Sequence, residues 1–420
     1  MRTLFRAAIL NPIDAQSWEF LDDGGLLVED GAIGTLGRFD EVVKSHPLEP
    51  IELDGVIVPG FADIHIHWVQ HAVRGHYAQA LLPWLATHIW PEEARYADTA
   101  LARERAEMFF ADCLAAGTVM GMSYSSPHPA AARIAHEARR GDWITGNVIM
   151  TTNAPADLTA ASAKPPSDLA VLPDTIGRAH YAVTPRFALN CTARDLAALG
   201  AFARYQGLAV QTHLAESEAE VREVERLFPE ATDYTDVYDR AGLLGPRTVL
   251  GHCIHLSERE WSCLAARGCW IAHCPSSNEA LDSGRFDLDT AWRYKIPFAL
   301  ASDVGAGPSH SMLHVMQRFL SQHRAAGVHV TPEAALFYAT IAGAHAMGRG
   351  AIAGSLSLGK RGDFVLMPRA TRLRSPQAWF EDLVQGPMAE LERRPLGTWI
   401  AGYPVFMNPR PRPSSPAPPC

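Results

Sequence analysis

The 420-residue sequence is short of several things, and each shortage removes a class of function. No stretch approaches the roughly 18 consecutive apolar residues that a membrane-crossing helix needs, so a membrane partner is not expected. There is no block of basic residues: 37 Lys and Arg stand against 46 Asp and Glu, a formal net charge of −9 at pH 7. Such a balance offers no footprint for a nucleic-acid backbone or an anionic lipid surface. The seven cysteines, at 113, 191, 253, 263, 269, 274 and 420, form no CxxC pair, which argues against a disulfide framework and a cysteine-type zinc site. Near the start, MRTLFRAAILNP carries only a short apolar run before Asn11 and Pro12, too short for the core of a signal peptide. A cytoplasmic protein is the expectation.

What is present is a soluble composition, 47% hydrophobic and 20% charged, in a chain longer than a single core usually supports. Short β-rich runs alternate with helical patterns: VIVPGF near 57, TVMGMS at 118, ITGNVIM at 144, HYAVTP at 180, LAVQTH at 208, TVLGH at 248, CWIAH at 269 and PFALASD at 297. Eight strands with intervening helices describe an α/β fold of the (β/α)8 TIM-like barrel type. Asp98 is positioned to cap a helix whose face is read as Leu101, Met108 and Ala115, ended by Gly117, and Thr331-Pro332-Glu333 reads as another helix start. Turn-punctuated strands at both ends, LVEDGAIGTLG and IELDGVIVPG early and GSLSLGKRGDFVLMP and TWIAGYPVFM late, predict a small β-sandwich domain built from both chain ends. The expected boundaries are 1–57 plus 359–407 for that domain, 58–358 for the barrel, and 408–420 for a disordered, proline-rich tail.

The stretch FADIHIH carries the first chemical signal. In extended chain, side chains alternate faces, so His65 and His67 project together. Two imidazoles on one side can grip a metal, although the pair alone fits a half-buried strand end with two solvated histidines better. Barrel enzymes gather their active residues at the C-terminal strand ends. There His65 and His67 follow strand one, His213 ends strand five, His252 ends strand six and Asp303 ends strand eight. Any one of these is unremarkable as a polar strand end; five metal-type residues on one rim are not. Glu216, three residues after His213 in HLAE, sits where a partly desolvated carboxylate can move a proton.

In chain order, PGFADIHIH, LLPWL, VTPRF, QTHLAE, VYDRAGLL, GHCIHLS, IAHCPSSN and SDVGAGPSHSML, followed by SLGKRGDFVL, resemble the amidohydrolase superfamily and within it most closely the guanine deaminases. The resemblance implies one Zn2+ per subunit, with Fe2+ an alternative, held by His65, His67, His213 and Asp303. It implies Glu216 as the proton shuttle, His252 as the residue positioning the attacking water, and Asp303 orienting that water from the metal. For the substrate it implies contacts from Gln70, Arg186 and Phe187, with Trp84 as a pocket wall and His213 and Glu216 bordering the ring. The implied reaction is hydrolytic deamination of guanine by a homodimer, whose partners are a purine base and water, with neither nucleic acid nor membrane involved. The loop MSYSSPH, which carries His128, departs from the form in animal members. A second enzymatic reading is an aminohydrolase of a related ring: a pterin, 8-oxoguanine or a triazine. A third is a metal-free scaffold, which the complete ligand set disfavours. The H-x-E and P-C-x-x-C signature of nucleic-acid-editing deaminases does not occur.

Overall fold

The computed structural model describes residues 1–77, 80–162, 169–369 and 375–408; the expected disordered tail from 409 onward and Cys420 lie outside the described residues. Eight parallel strands follow one another in a single sheet: Phe61–His67, Thr118–Ser125, Asp142–Ile149, Ala182–Pro185, Ala209–Leu214, Thr248–His252, Trp270–His273 and Phe298–Leu300. Helices lie between them, the connection that parallel neighbours demand. Chain just past the last strand returns to the first, where the Asp303 N–H donates to the His65 carbonyl (2.8 Å) and the His67 N–H donates to the Val304 carbonyl (2.6 Å). The buried Asp63 carboxylate reinforces this junction by accepting from the Ser302 N–H (3.1 Å) and the Ser302 hydroxyl. The barrel is thereby closed at the strands that carry three of the site's residues.

The first barrel strand differs from the sequence expectation. The VIVP run near residue 57 belongs to Ile51–Pro59, which pairs parallel with Arg2–Pro12 and antiparallel with Phe364–Met367 in the smaller sheet. After Gly60 the chain passes into Phe61–His67, so the two histidines end this strand rather than follow VIVP. A continuous apolar run does not itself record a change of sheet. Gly60 marks it, because a Cβ there would lie 2.4 Å from a Val119 methyl carbon.

The smaller sheet draws on both chain ends, as expected, and its seven strands are hydrogen-bonded in one continuous order. Its order is Tyr403–Met407, Gly397–Ile400, Phe364–Met367, Ile51–Pro59, Arg2–Pro12, Trp18–Glu29, Ala32–Arg38. Phe5, Phe364 and Trp399 fill its buried face, with ring centroids 5.1 Å apart for Phe5–Phe364 and 4.8 Å for Phe364–Trp399.

Helix signals fared unevenly. Asp98 caps Thr99–Ala115, accepting from the N–H groups of Ala100 and Leu101, and Thr331 caps Pro332–Tyr338. The buried face of the former helix, however, is Ala102, Ala106, Phe109, Phe110 and Cys113, while Met108 is 46% exposed. The line Leu101, Met108, Ala115 is itself nearly straight along the helix but lies more than about 90° round from the contact face. Spacings near four keep Ala102, Ala106 and Phe109 in line, and the two phenylalanines then pack on Trp143, with centroids 5.8 and 5.2 Å away. Among the described residues no helix is long and apolar enough to cross a membrane, and the described cysteines are all free.

Candidate active site

The period-two alternation of Phe61–His67 brings His65 and His67 to one side, and three other strand ends deliver the rest of the site. His213 lies in Ala209–Leu214, His252 ends Thr248–His252, and Asp303 follows Phe298–Leu300. Ala215, His252, Cys253 and Asp303 all hold left-handed backbone, with φ of 51°, 68°, 54° and 50°. Non-glycine residues pay a steric penalty there, and such residues concentrate where geometry serves function.

His65, His67, His213 and Asp303 are buried and each contributes one ligand-type atom, all within 4.8 Å of one another. The Nε2 atoms of His65 and His67 each lie 3.3 Å from Asp303 Oδ1, and His67 Nε2 lies 3.2 Å from His213 Nε2. Four donors about 2.0–2.1 Å from one cation in tetrahedral array stand about 3.3–3.4 Å apart, so the observed edges fit. Tautomers agree. His213 donates its Nδ1–H to the Arg186 carbonyl (2.7 Å), which leaves its Nε2 lone pair facing His67. Both ring nitrogens of His65 and Nδ1 of His67 have no protein hydrogen-bond partner. Burial pushes His67 down to about 4 and His213 well below the usual histidine range, so these rings are neutral ligands at physiological pH. A divalent cation fits this donor set.

Two further groups face the same point. His252 Nε2 lies 3.5 Å from Glu216 Oε2 and 3.7 Å from Asp303 Oδ2. Its Nδ1 bonds Asn278 Oδ1 (2.9 Å), and burial lowers its pKa to about 4, so Nε2 is a free acceptor. Ser277 holds the other face of Asp303, its hydroxyl donating to Oδ2 (2.6 Å). Glu216 sits between strand and helix, immediately before the Ser217–Glu220 capping box of Glu218–Leu227. Burial, with Asp303 and Glu220 close by, raises its pKa well above the carboxylate range, against the pull of Arg186. A carboxyl whose pKa is raised in this way can take up a proton and release it to a basic atom. Glu218 is solvent-facing, whereas Glu220 is buried and receives the Glu216 N–H (2.8 Å).

On the adjoining wall, Gln70 and Arg186 are both buried and meet at a residue that sequence reading missed. Glu93 accepts from Gln70 Nε2 (2.8 Å) and from Arg186 Nη1 at both oxygens (2.7 and 2.6 Å). In PEEARY it reads as one more acid in a helix's first turn, and its partners lie far away in sequence. Ser277 and Asn278 were equally unread within HCPSSN. Phe187 stacks on His213, ring centroids 4.4 Å apart. Trp84 is 2% exposed and donates its indole N–H to the His76 carbonyl (2.7 Å). Three other histidines have neighbours outside this cluster: His273 bonds His323 (3.0 Å), His310 lies near Glu392 (3.7 Å) and His128 bonds Ser126 (3.1 Å). Cys274 is buried with its thiol pushed well up, as befits a core residue.

Comparison with known proteins agrees with this geometry. The sequence profile of the amidohydrolase family matches residues 56–403. Guanine deaminase of Escherichia coli (strain K12) is 34% identical over 86% of this chain and 84% of its own length, and the probable guanine deaminase of Deinococcus radiodurans is 37% identical over 83% of each. The solved structure of E. coli guanine deaminase superposes with a TM-score of 0.85 at 30% identity, covering 97% of this chain and 99% of that one. With fold, donor set and sequence in accord, the chain belongs to the amidohydrolase family.

Proposed function

We propose that the chain catalyses hydrolytic deamination of guanine, giving xanthine and ammonia, with one zinc ion held by His65, His67, His213 and Asp303. The observation that carries the reading is the buried convergence of these four residues with Glu216 and His252, in a chain whose relatives at 34% and 37% identity are a guanine deaminase and a probable one. Nitrogen and oxygen donors of this kind accept other divalent ions, Fe2+ among them. When bound, the cation supplies a lowered pKa for a coordinated water, from about 15.7 toward about 7.

The chain's own groups supply positioning and proton transfer. His252, neutral and fixed by Asn278, offers Nε2 to a water proton and so turns an oxygen lone pair toward the substrate. Gln70 and Arg186 hydrogen-bond the edge of the purine, and Phe187 and Trp84 bound it with apolar surface. Glu216 takes the proton the attacking water gives up and delivers it to a ring nitrogen as the carbon–oxygen bond forms. The hydroxyl now on that carbon gives its proton to the same carboxylate, which passes it to the exocyclic nitrogen; the carbon–nitrogen bond breaks, a carbonyl forms, and ammonia leaves. Water's oxygen is retained as the new carbonyl of xanthine. The same reading takes the protein as a cytoplasmic homodimer.

Ammonia release from guanine, isoxanthopterin, 8-oxoguanine and a triazine, by wild type and by Glu216→Gln, tests this. Guanine is the expected preferred substrate, and Glu216→Gln is expected to lose about a hundred-fold or more in turnover with metal content unchanged. Guanine left intact while another ring is consumed overturns the assignment.

A further inference from the structure

The deepest carboxylate on the ring-recognition wall belongs neither to the cation's donor set nor to the proton path. Glu93 is fully buried. It lies on the short helix Trp90–Ala94, which follows a wide π-type turn at Leu85–Ile89, a backbone form that recurs at functional sites. Its oxygens receive Gln70 and Arg186 together.

Two consequences follow from the bonding pattern. A carboxylate only accepts, so the Gln70 amide must present its NH2 to Glu93, while the Gly305 N–H donates to Gln70 Oε1 (3.3 Å) from the other side. That side chain is held at both ends. Both bonds from Arg186 to Glu93 come from a single guanidinium nitrogen, Nη1, rather than from a fork of two. Arg186 Nε is left buried without a protein partner, so donor capacity survives the ion pair.

Charge gives the carboxylate a second role. Deamination turns a neutral base into a dioxo base that sheds a proton near neutral pH. A buried guanidinium without a counterion would hold that anion strongly, because charges in a poorly solvated site are weakly screened. With Glu93 in place the recognition wall carries no net charge.

We propose that Glu93 is a positioning and charge-compensating residue, which fixes Gln70 and Arg186 for the neutral substrate and prevents Arg186 from retaining the anionic product. The inference rests on the guanine reading above.

The test uses the metal-loaded full chain and compares wild type, Glu93→Gln and Glu93→Asp. It measures KM and kcat for guanine and the inhibition constant of xanthine below and above neutral pH. For Glu93→Gln we expect guanine KM to rise roughly ten- to a hundred-fold, the scale of hydrogen bonds to charged groups, with kcat falling less. Xanthine inhibition should tighten above neutral pH. Glu93→Asp, which keeps the charge but shortens the reach, should raise KM without tightening xanthine. Parallel weakening of guanine and xanthine in Glu93→Gln would overturn charge compensation, and unchanged constants would overturn both roles. If Glu93→Gln does not fold, Arg186→Gln reads the same balance with the sign reversed. Xanthine inhibition must then weaken above neutral pH by more than guanine KM rises, and equal losses refute the idea. A wild type inert toward guanine but active on another ring refutes the function reading instead.

Discussion

The two walls of the site are built on opposite rules. On the cation side, polar atoms face one another without partners: both nitrogens of His65 and Nδ1 of His67 are orphaned, and imidazole nitrogens approach each other at 3.2 Å. On the ring side, Gln70, Arg186 and Glu93 satisfy one another within 2.8 Å. Buried polar groups are costly when unpaired, so the first wall is incomplete as protein alone and the second is nearly self-sufficient. A wall that needs an ion to be satisfied selects for that ion; a wall already satisfied selects by shape and by the few donors left over.

The largest expected effect breaks this contrast at the cation wall. Asp303→Asn removes the only anionic donor among three neutral imidazoles, and we expect no retained metal by elemental analysis and no detectable turnover. Metal retained at wild-type stoichiometry would mean that the orphaned nitrogens are not what holds it.

A smaller effect sharpens the contrast by moving one step outward. Asn278→Ala leaves all four donors in place but frees Nδ1 of His252. We expect turnover to fall about ten- to a hundred-fold, as for loss of a residue that orients a functional histidine, with metal content unchanged. Full activity would show that the strained backbone at His252, not the amide, sets the ring.

The contrast also explains what could be read in the sequence. The cation wall follows strand periodicity and strand-end position, rules local to each segment, so His65, His67, His213, His252 and Asp303 were legible before any contact was known. Glu216 was legible through its distance from His213. The ring wall's organiser was not, because Glu93 is defined by partners 23 and 93 residues away and its own segment reads as a solvated helix start. Ser277 and Asn278 act through side-chain bonds 26 residues long in sequence, which no periodicity records. The same limit governs the fold: the alternation of strands and helices gave the barrel, while the passage of one apolar run from one sheet to the other at Gly60, and the inward face of Thr99–Ala115, depended on neighbours from elsewhere in the chain.

Glu220 lies behind the cation wall, and its effect on turnover should be the smallest. It receives the backbone N–H groups of Glu216 (2.8 Å) and Ser217 (3.3 Å). Tyr234, its neighbour, lies 3.4 Å hydroxyl to hydroxyl from Tyr238, which donates to the His213 carbonyl (2.9 Å) and lies 3.0 Å from the Thr212 hydroxyl. Burial raises the Glu220 carboxyl to about 7, against the Tyr234 hydroxyl and the two backbone donors that favour its ionised form. In the unfolded chain it titrates near 4.3. Between these values the folded protein binds the extra proton, so this residue's contribution to stability declines as pH rises from about 4.3 to about 7 and is level above that. The slope is at most about 1.4 kcal/mol per pH unit. Glu220→Gln keeps an acceptor for the two N–H groups and removes the titration. Its stability relative to wild type, measured by denaturant unfolding across that window, should therefore improve with rising pH. A constant difference would mean that the carboxylate is ionised in the fold at all these pH values and that the tyrosine chain, not burial, governs it.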